Sequence, residues 1–272
     1  MERPAWAPPG IDISVPSVSR IYDYYLGGSH NFEVDREAAR RAMEFMPGLP
    51  KIMQANRAFM RRAVRYAANE GIDQFLDIGS GIPTFGNVHE IAQDARPGAR
   101  VVYVDHDPVA VAHSKAVLEG NEHAAVAAAD LRKPQDILTA PETTGLLDLD
   151  RPVALLLVAV LHFLEDADDP QRSVAELRDA LAPGSLLIVT HASFEGIPVP
   201  QERAGGAVGV YRDIRNPLVM RSREEVARFF DGFELVEPGV VSMPYWRPEP
   251  DSPVEQEDPY AFAGFAGVGR KA

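Results

Sequence analysis

The chain reads as an α/β protein: a mostly parallel sheet between helices, preceded by a helical segment and closed by an antiparallel strand pair. Three observations carry that reading. Past a Pro-rich start, the first seventy residues read as helical. Short apolar runs then alternate with helical stretches from residue 74 to residue 190, the pattern of a parallel sheet covered on both faces. Two β-like runs come late, at 233–242 and 260–268, and the Pro- and acid-rich loop between them is short enough to join antiparallel neighbours.

The elements follow in order. Residues 1–16 are Pro-rich and expected to be loosely ordered. A short helix is expected over 17–27, with Ser17 as its cap, Ile21, Tyr24 and Tyr25 on one face, and Gly27-Gly28 as its stop. A second helix covers 33–46 and ends before Pro47; a third runs over 51–69, where Ile52, Ala55, Phe59, Ala63 and Tyr66 recur three or four apart. Strands are expected at 74–78, 100–104, 124–129, 153–159 and 186–190, with helices at 86–96, 108–119 and 169–182. Ser222-Arg223-Glu224-Glu225 is a capping box that opens a further helix. With the late pair, the strands number seven.

Composition narrows the function. The 272 residues fit one large domain or a domain with an elaboration. A formal charge of −13 disfavours a nucleic-acid backbone as the main partner. The absence of cysteine excludes disulfides, a thiolate nucleophile and a zinc–thiolate site, and no metal is expected. No apolar run reaches membrane-spanning length, and the N-terminal residues lack a signal-peptide core, so a cytoplasmic location is expected.

The chemistry sits at strand ends. Asp77-Ile78-Gly79-Ser80-Gly81 follows an apolar run and precedes helix-compatible sequence. Glycines there let a backbone approach a ligand closely. A dinucleotide fingerprint needs a third glycine at position 84, where this chain has Thr84. Asp105, 28 residues after Asp77, ends the second apolar run, where a carboxylate can accept from two ribose hydroxyls, with His106 flanking a base. Alternatively, Asp105 or Asp107 caps the helix that starts at Pro108. Asp130 ends the third strand, able to accept from an adenine amino group while the Leu131 N–H donates to the ring; a solvated loop acid is the other reading. The fourth strand ends near Ala159 and runs into Val160-Leu161-His162-Phe163. His162 is a candidate general base or a packed structural histidine.

Seven strands with a terminal antiparallel pair resemble the Rossmann-like class I S-adenosyl-L-methionine (SAM) methyltransferase fold. The acid-x-Gly-x-Gly turn and Leu181-Ala182-Pro183-Gly184 fit the same pattern, although Pro83 replaces a frequent third glycine. Further stretches extend the likeness: Tyr22-Asp23-Tyr24 with Leu26-Gly27-Gly28, Asn31-Phe32, Asn56-Arg57, Tyr103-Val104-Asp105-His106-Asp107-Pro108 and Trp246-Arg247-Pro248. Over nearly its whole length the chain is similar to a bacterial family of SAM-dependent methyltransferases from GC-rich genomes, formerly a domain of unknown function. The resemblance implies SAM as methyl donor and S-adenosyl-L-homocysteine (SAH) as product, and it supplies no acceptor.

On this reading residues 1–70 form a helical cap or lid and residues 71–272 the SAM-binding domain. Tyr22, Tyr24, His30 and Asn31 crowd the segment 17–35, a candidate lid hinged at Gly27-Gly28 or a plain helix ending packed on the core. Arg57 is the candidate for the SAM carboxylate. His162, then Tyr24 or His30, are the candidate bases, and the acceptor is expected to be a small molecule. Two rivals stay open: a catalytically inactive SAM-binding sensor or interaction protein, and an NAD-type nucleotide-binding enzyme.

Overall fold

The computed structural model describes residues 11–83, 86–196, 200–214, 217–249 and 263–272. Thr84, the loop 250–259 and the start of the expected 260–268 run lie outside the described residues, as do residues 1–10.

Three helices come first: α1 (Val18–Tyr25), α2 (Glu33–Phe45) and α3 (Leu49–Asn69). Gly27 takes a φ of +79°, its N–H reaches the Tyr24 carbonyl at 3.0 Å, and the Gly28 N–H reaches the Asp23 carbonyl at 2.8 Å. That is a Schellman ending, which satisfies the last carbonyls of α1. A Cβ on Gly28 would fall 2.0 Å from Asp23 Oδ1, so the pair is packed as a helix stop. Ser17 does not cap α1; its hydroxyl donates to Asp107 instead.

Strands and helices then alternate: β1 (Gln74–Ile78), α4 (Val88–Ala95), β2 (Arg100–Asp105), α5 (Pro108–Val117) and β3 (Ala124–Ala128). Two short helices, α6 (Pro134–Leu138) and α7 (Pro141–Leu146), lead to β4 (Ala154–Val158), α8 (Pro170–Ala180) and β5 (Leu186–Ala192). The chain ends with α9 (Gln201–Asp213), α10 (Arg223–Ala227), β6 (Phe233–Leu235), β7 (Val241–Ser242) and β8 (Gly264–Lys271). The sheet order is β3-β2-β1-β4-β5-β8-β6, with β7 also on β8; β1 to β5 are parallel and β8 runs antiparallel to its neighbours.

Side chains alternate between two buried cores, as a strand's period of two demands. Phe75, Val101, Leu156 and Ile188 face the layer that includes α2, α3 and α9, while Leu76, Val102, Leu155 and Val189 face α8 and α10. Both faces are therefore covered. No described helix is long and apolar enough to cross a membrane.

Two expectations need correction. Eight strands, not seven, make the sheet among the described residues, because the run 233–242 splits into β6 and β7. Pro238 has no N–H to lend a ladder, and Gly239 turns the chain at φ +83°. The helix α9 was not expected, since Gly205, Gly206 and Gly209 mask its helical pattern. Those glycines have a packing reason at one position: a Cβ on Gly206 would lie 2.3 Å from the Phe45 ring, so α9 closes tightly on α2.

The N-terminal helices are fixed by a buried ion pair. Arg20 Nε donates to Asp35 at 2.9 Å, with side chains 5% and 0% exposed. Asp35 also accepts the Ser17 and Phe32 N–H groups at 2.9 and 2.8 Å. Removing one partner of such a pair strands a buried charge. Asp35→Ala is expected to cost about 3–5 kcal/mol of stability, read from urea unfolding midpoints; a loss under about 1 kcal/mol would show that α1 and α2 are held by other contacts.

Candidate active site

The strand order reverses between β1 and β4, and a ligand crevice in an open parallel sheet forms beyond the strand ends at that point. A cavity of about 330 Å³ lies there, walled by the ends of β1, β2, β4 and β5 and by α1, α3 and α9.

Its floor is the turn after β1. Gly79 and Gly81 have φ of +74° and +68°. The N–H groups of Gly79 and Ser80 both donate to the Val104 carbonyl, at 2.8 and 3.2 Å. A Cβ on Gly79 would meet Val160 at 2.4 Å, so this glycine lets the β4 end approach the turn. A Cβ on Gly81 would meet nothing within 4 Å among the described residues. That leaves space over the turn for a ligand.

Asp105 holds the turn from β2. Its Oδ2 accepts the Gly81 N–H at 2.7 Å and its Oδ1 accepts the Asp107 N–H at 2.8 Å. Burial raises its pKa, and those two backbone donors oppose the rise. Asp107, not Asp105, caps α5, accepting the Val109 N–H at 2.7 Å. Asp105 and the exposed His106 both line the cavity.

Asp77 is buried beneath the turn. Burial pushes its carboxyl up to about 7, against the pull of the Arg57 charge and with a further push from Asp105. Arg57 lines the same wall and donates to the Gly86 carbonyl at 3.2 Å, while its buried Nε has no hydrogen-bond partner among the described residues. At the β3 end, burial would raise Asp130, but hydrogen bonds and charge from Arg132 outweigh it and hold the pKa low. Leu131 is buried on the cavity wall beside it, and its N–H donates to no group among the described residues.

The β4 end carries a strained residue. Ala159 sits at φ +57°, and its N–H donates to the Thr190 hydroxyl at 2.8 Å. Thr190 donates to Asn56 Oδ1 at 2.6 Å, and Asn56 Nδ2 donates to the Tyr22 hydroxyl at 2.8 Å. The relay runs from β4 through β5 and α3 to α1, and all four residues line the cavity.

His162 is buried on the cavity wall. Its Nδ1 accepts the Ala192 N–H at 3.2 Å, which leaves the proton on Nε2. Burial lowers its pKa well below the ordinary value, with His191 and Arg221 adding to the effect. The ring is a neutral donor whose basic lone pair is occupied.

Three expected residues are not brought to the cavity. Tyr24 lies beside Arg40, and His30 packs against His113 with ring centres 3.9 Å apart and ring planes tilted by 49°. Asn31 is buried in a structural knot, donating to Asp23 at 2.8 Å and to the Gly28 carbonyl at 3.0 Å. Only Tyr22 of that group reaches the cavity. Conversely, Asn56 and Thr190 were not singled out as site residues; each is a polar residue in an apolar setting, and their pairing is visible only in the fold.

The chain matches the S-adenosyl methyltransferase family model over residues 4–272. A candidate methyltransferase from Thermobifida fusca YX is 43% identical, with a TM-score of 0.91 over 98% of this chain and 99% of that one. A DUF574 family protein from Streptomyces avermitilis MA-4680 is 39% identical, with a TM-score of 0.91 over 96% and 99%. The 1,6-didemethyltoxoflavin-N1-methyltransferase of Burkholderia thailandensis, 16% identical with a TM-score of 0.50 over 87% and 89%, shares the fold. No curated protein matches the chain. The residues present suit a nucleoside–amino-acid cofactor: open space over Gly81, an orphaned Ser80 Oγ and Arg57 Nε, and the Asp105 carboxylate at the β2 end. The chain belongs to the S-adenosyl methyltransferase family, and the methyl donor it uses is S-adenosyl-L-methionine.

Proposed function

We propose that this methyltransferase acts on a small-molecule acceptor bound in the same cavity as the donor, past the ends of β4 and β5. The observation that carries this is the make-up of one cavity, to which the ends of β1 to β3, Arg57 and the loop after β4 bring charged groups while α9, β5 and the segment 217–220 bring uncharged ones. Asp105 takes the ribose hydroxyls, since a carboxylate has more acceptor sites than its two backbone donors fill. Asp130 and the Leu131 N–H hold the adenine edge, and His106 flanks the ring. Arg57 pairs with the carboxylate and Asp77 answers the ammonium group.

When bound, the cofactor supplies a methyl group activated by a positively charged sulfur. The protein's part is then largely to position the acceptor and exclude water. His162 serves as a hydrogen-bond donor to the acceptor and not as a base, because its Nδ1 lone pair is engaged. The segment 1–70 acts as a cover over the cofactor domain 71–272, with Val18, Ser19 and Tyr22 of α1 and Ile52, Asn56 and Arg57 of α3 among its contributions to the wall.

Calorimetry with SAH tests the donor assignment. Asp105→Ala is expected to weaken SAH binding by at least about tenfold, the scale of hydrogen bonds to a charged group; unchanged affinity would remove Asp105 from the site. The raised Asp77 pKa sets a pH dependence. If ionised Asp77 answers the ammonium, SAH affinity falls by up to about tenfold per pH unit as pH drops below about 7, and Asp77→Asn flattens the profile. The unliganded fold shows the opposite trend. A carboxyl raised on folding keeps its full stability below the unfolded pKa and loses it as pH rises to about 7. Asp77→Asn is therefore expected to raise the thermal midpoint at pH 8 more than at pH 4, and equal shifts at both would contradict the burial argument.

A further inference from the structure

The cavity has a distinctive lining. Met46, Met53, Met60, Met220 and Met243 all face it, five of the seven methionines in the chain. They come from the end of α2, from α3, from the segment after α9 and from the turn after β7. Methionine is unbranched, adapts to irregular shapes and makes favourable sulfur contacts with aromatic rings. Phe163, Phe194 and Leu218 complete this wall and stay partly exposed to the space.

Charge is confined to part of the same lining. Among the described residues, α1, α9, β5, Met46 and the segments 217–220 and 243 contribute no Asp, Glu, Lys or Arg to the cavity, and α3 contributes Arg57 alone. The charged lining groups are Arg57, Asp77, Asp105, Asp130 and Arg132 at the cofactor end, with Glu165 and Asp168 on the loop after β4. The titratable groups at the apolar end are neutral too. Burial keeps His162 well below its ordinary pKa and brings His191 down to about 4. Tyr211 is pushed up to about 12 by burial, and its hydroxyl donates to Tyr25 at 3.3 Å. A charged ligand here would lose its hydration and meet no countercharge, which is strongly unfavourable.

We infer that the acceptor is an uncharged aromatic molecule, seated among the methionines, with a hydrogen-bond acceptor directed at His162 Nε2–H. This rests on the reading of the cavity as a joint donor and acceptor site.

Calorimetry with probes on one bicyclic frame tests it: 2-naphthol (neutral), 2-naphthoate (anion) and 2-naphthylmethylammonium (cation), each at pH 7 on SAH-saturated protein. The neutral probe is expected to bind at least about tenfold more tightly than either charged one. Met53→Glu is expected to weaken the neutral probe and to favour the cation, with SAH binding by the same variant showing that it is folded. Equal binding of all three probes, or preference for a charged one, would overturn the inference. So would failure of the neutral probe on protein that binds SAH. If SAH itself fails to bind, the donor assignment falls, and the probe ranking on unloaded protein still decides the ligand class.

Discussion

Asp105 spends both carboxylate oxygens on backbone donors, and much of the site depends on that one choice. Oδ2 fixes Gly81 and so the height of the glycine turn; Oδ1 fixes Asp107 and so the start of α5. Asp107 in turn takes the Ser17 hydroxyl, which ties the N-terminal segment to the β2 end. A buried carboxylate is costly unless its lone pairs are answered. Here the donors that answer them belong to the loops that frame the cavity. The group that makes the cofactor end polar also makes it rigid.

A second network does the same work at the opposite wall. Ala159 is an L-residue in a left-handed conformation, a state that persists where neighbours over-determine it. Thr190 supplies the needed acceptor, and Asn56 fixes the direction of the Thr190 hydroxyl by accepting its proton. Tyr22 closes the relay from α1. The N-terminal helices therefore contact the sheet through both networks, at β2 and at β4. They are structural parts of the cavity, and the Arg20–Asp35 pair keeps the two helices together while they serve it.

The parts of this arrangement legible in the sequence are those that local pattern controls. Each strand delivers its acid or glycine turn at its end, so Asp77, Gly79, Asp105 and Asp130 followed from apolar runs and their punctuation. What failed depended on direction or distance. Tyr24 stands two residues beyond Tyr22, about 200° around a helix, so it cannot share the face formed by Val18, Ser19 and Tyr22. His30 and Asn31 are near Tyr22 in sequence, yet they follow a helix stop that turns them away. Thr190 and Asn56 lie 134 residues apart, beyond any local pattern. The helix α9 hid behind its glycines, although Gly206 is what allows its approach to Phe45.

The neutrality of the acceptor end has a cause outside the cavity. Arg221 is buried and donates to the Leu161 and Leu164 carbonyls, at 3.3 and 3.2 Å, and to Asp166 at 2.7 Å, which secures the loop after β4. It also donates to His191 Nε2 at 3.0 Å. That leaves the His191 proton on Nδ1, which donates to the Ala192 carbonyl at 2.8 Å. The N–H of Ala192 then donates to His162 Nδ1. Arg221 thus sets the tautomer of His191, and the Ala192 N–H, a donor in any case, sets that of His162. The Arg221 charge also disfavours protonation of either ring, reinforcing burial. Among the described residues, α9, β5 and the segment 217–220 offer the cavity no Asp, Glu, Lys or Arg, and His162 presents it a neutral ring protonated at Nε2. Arg221 is not part of the cavity lining, yet it secures the loop after β4 and helps to keep both histidine rings neutral.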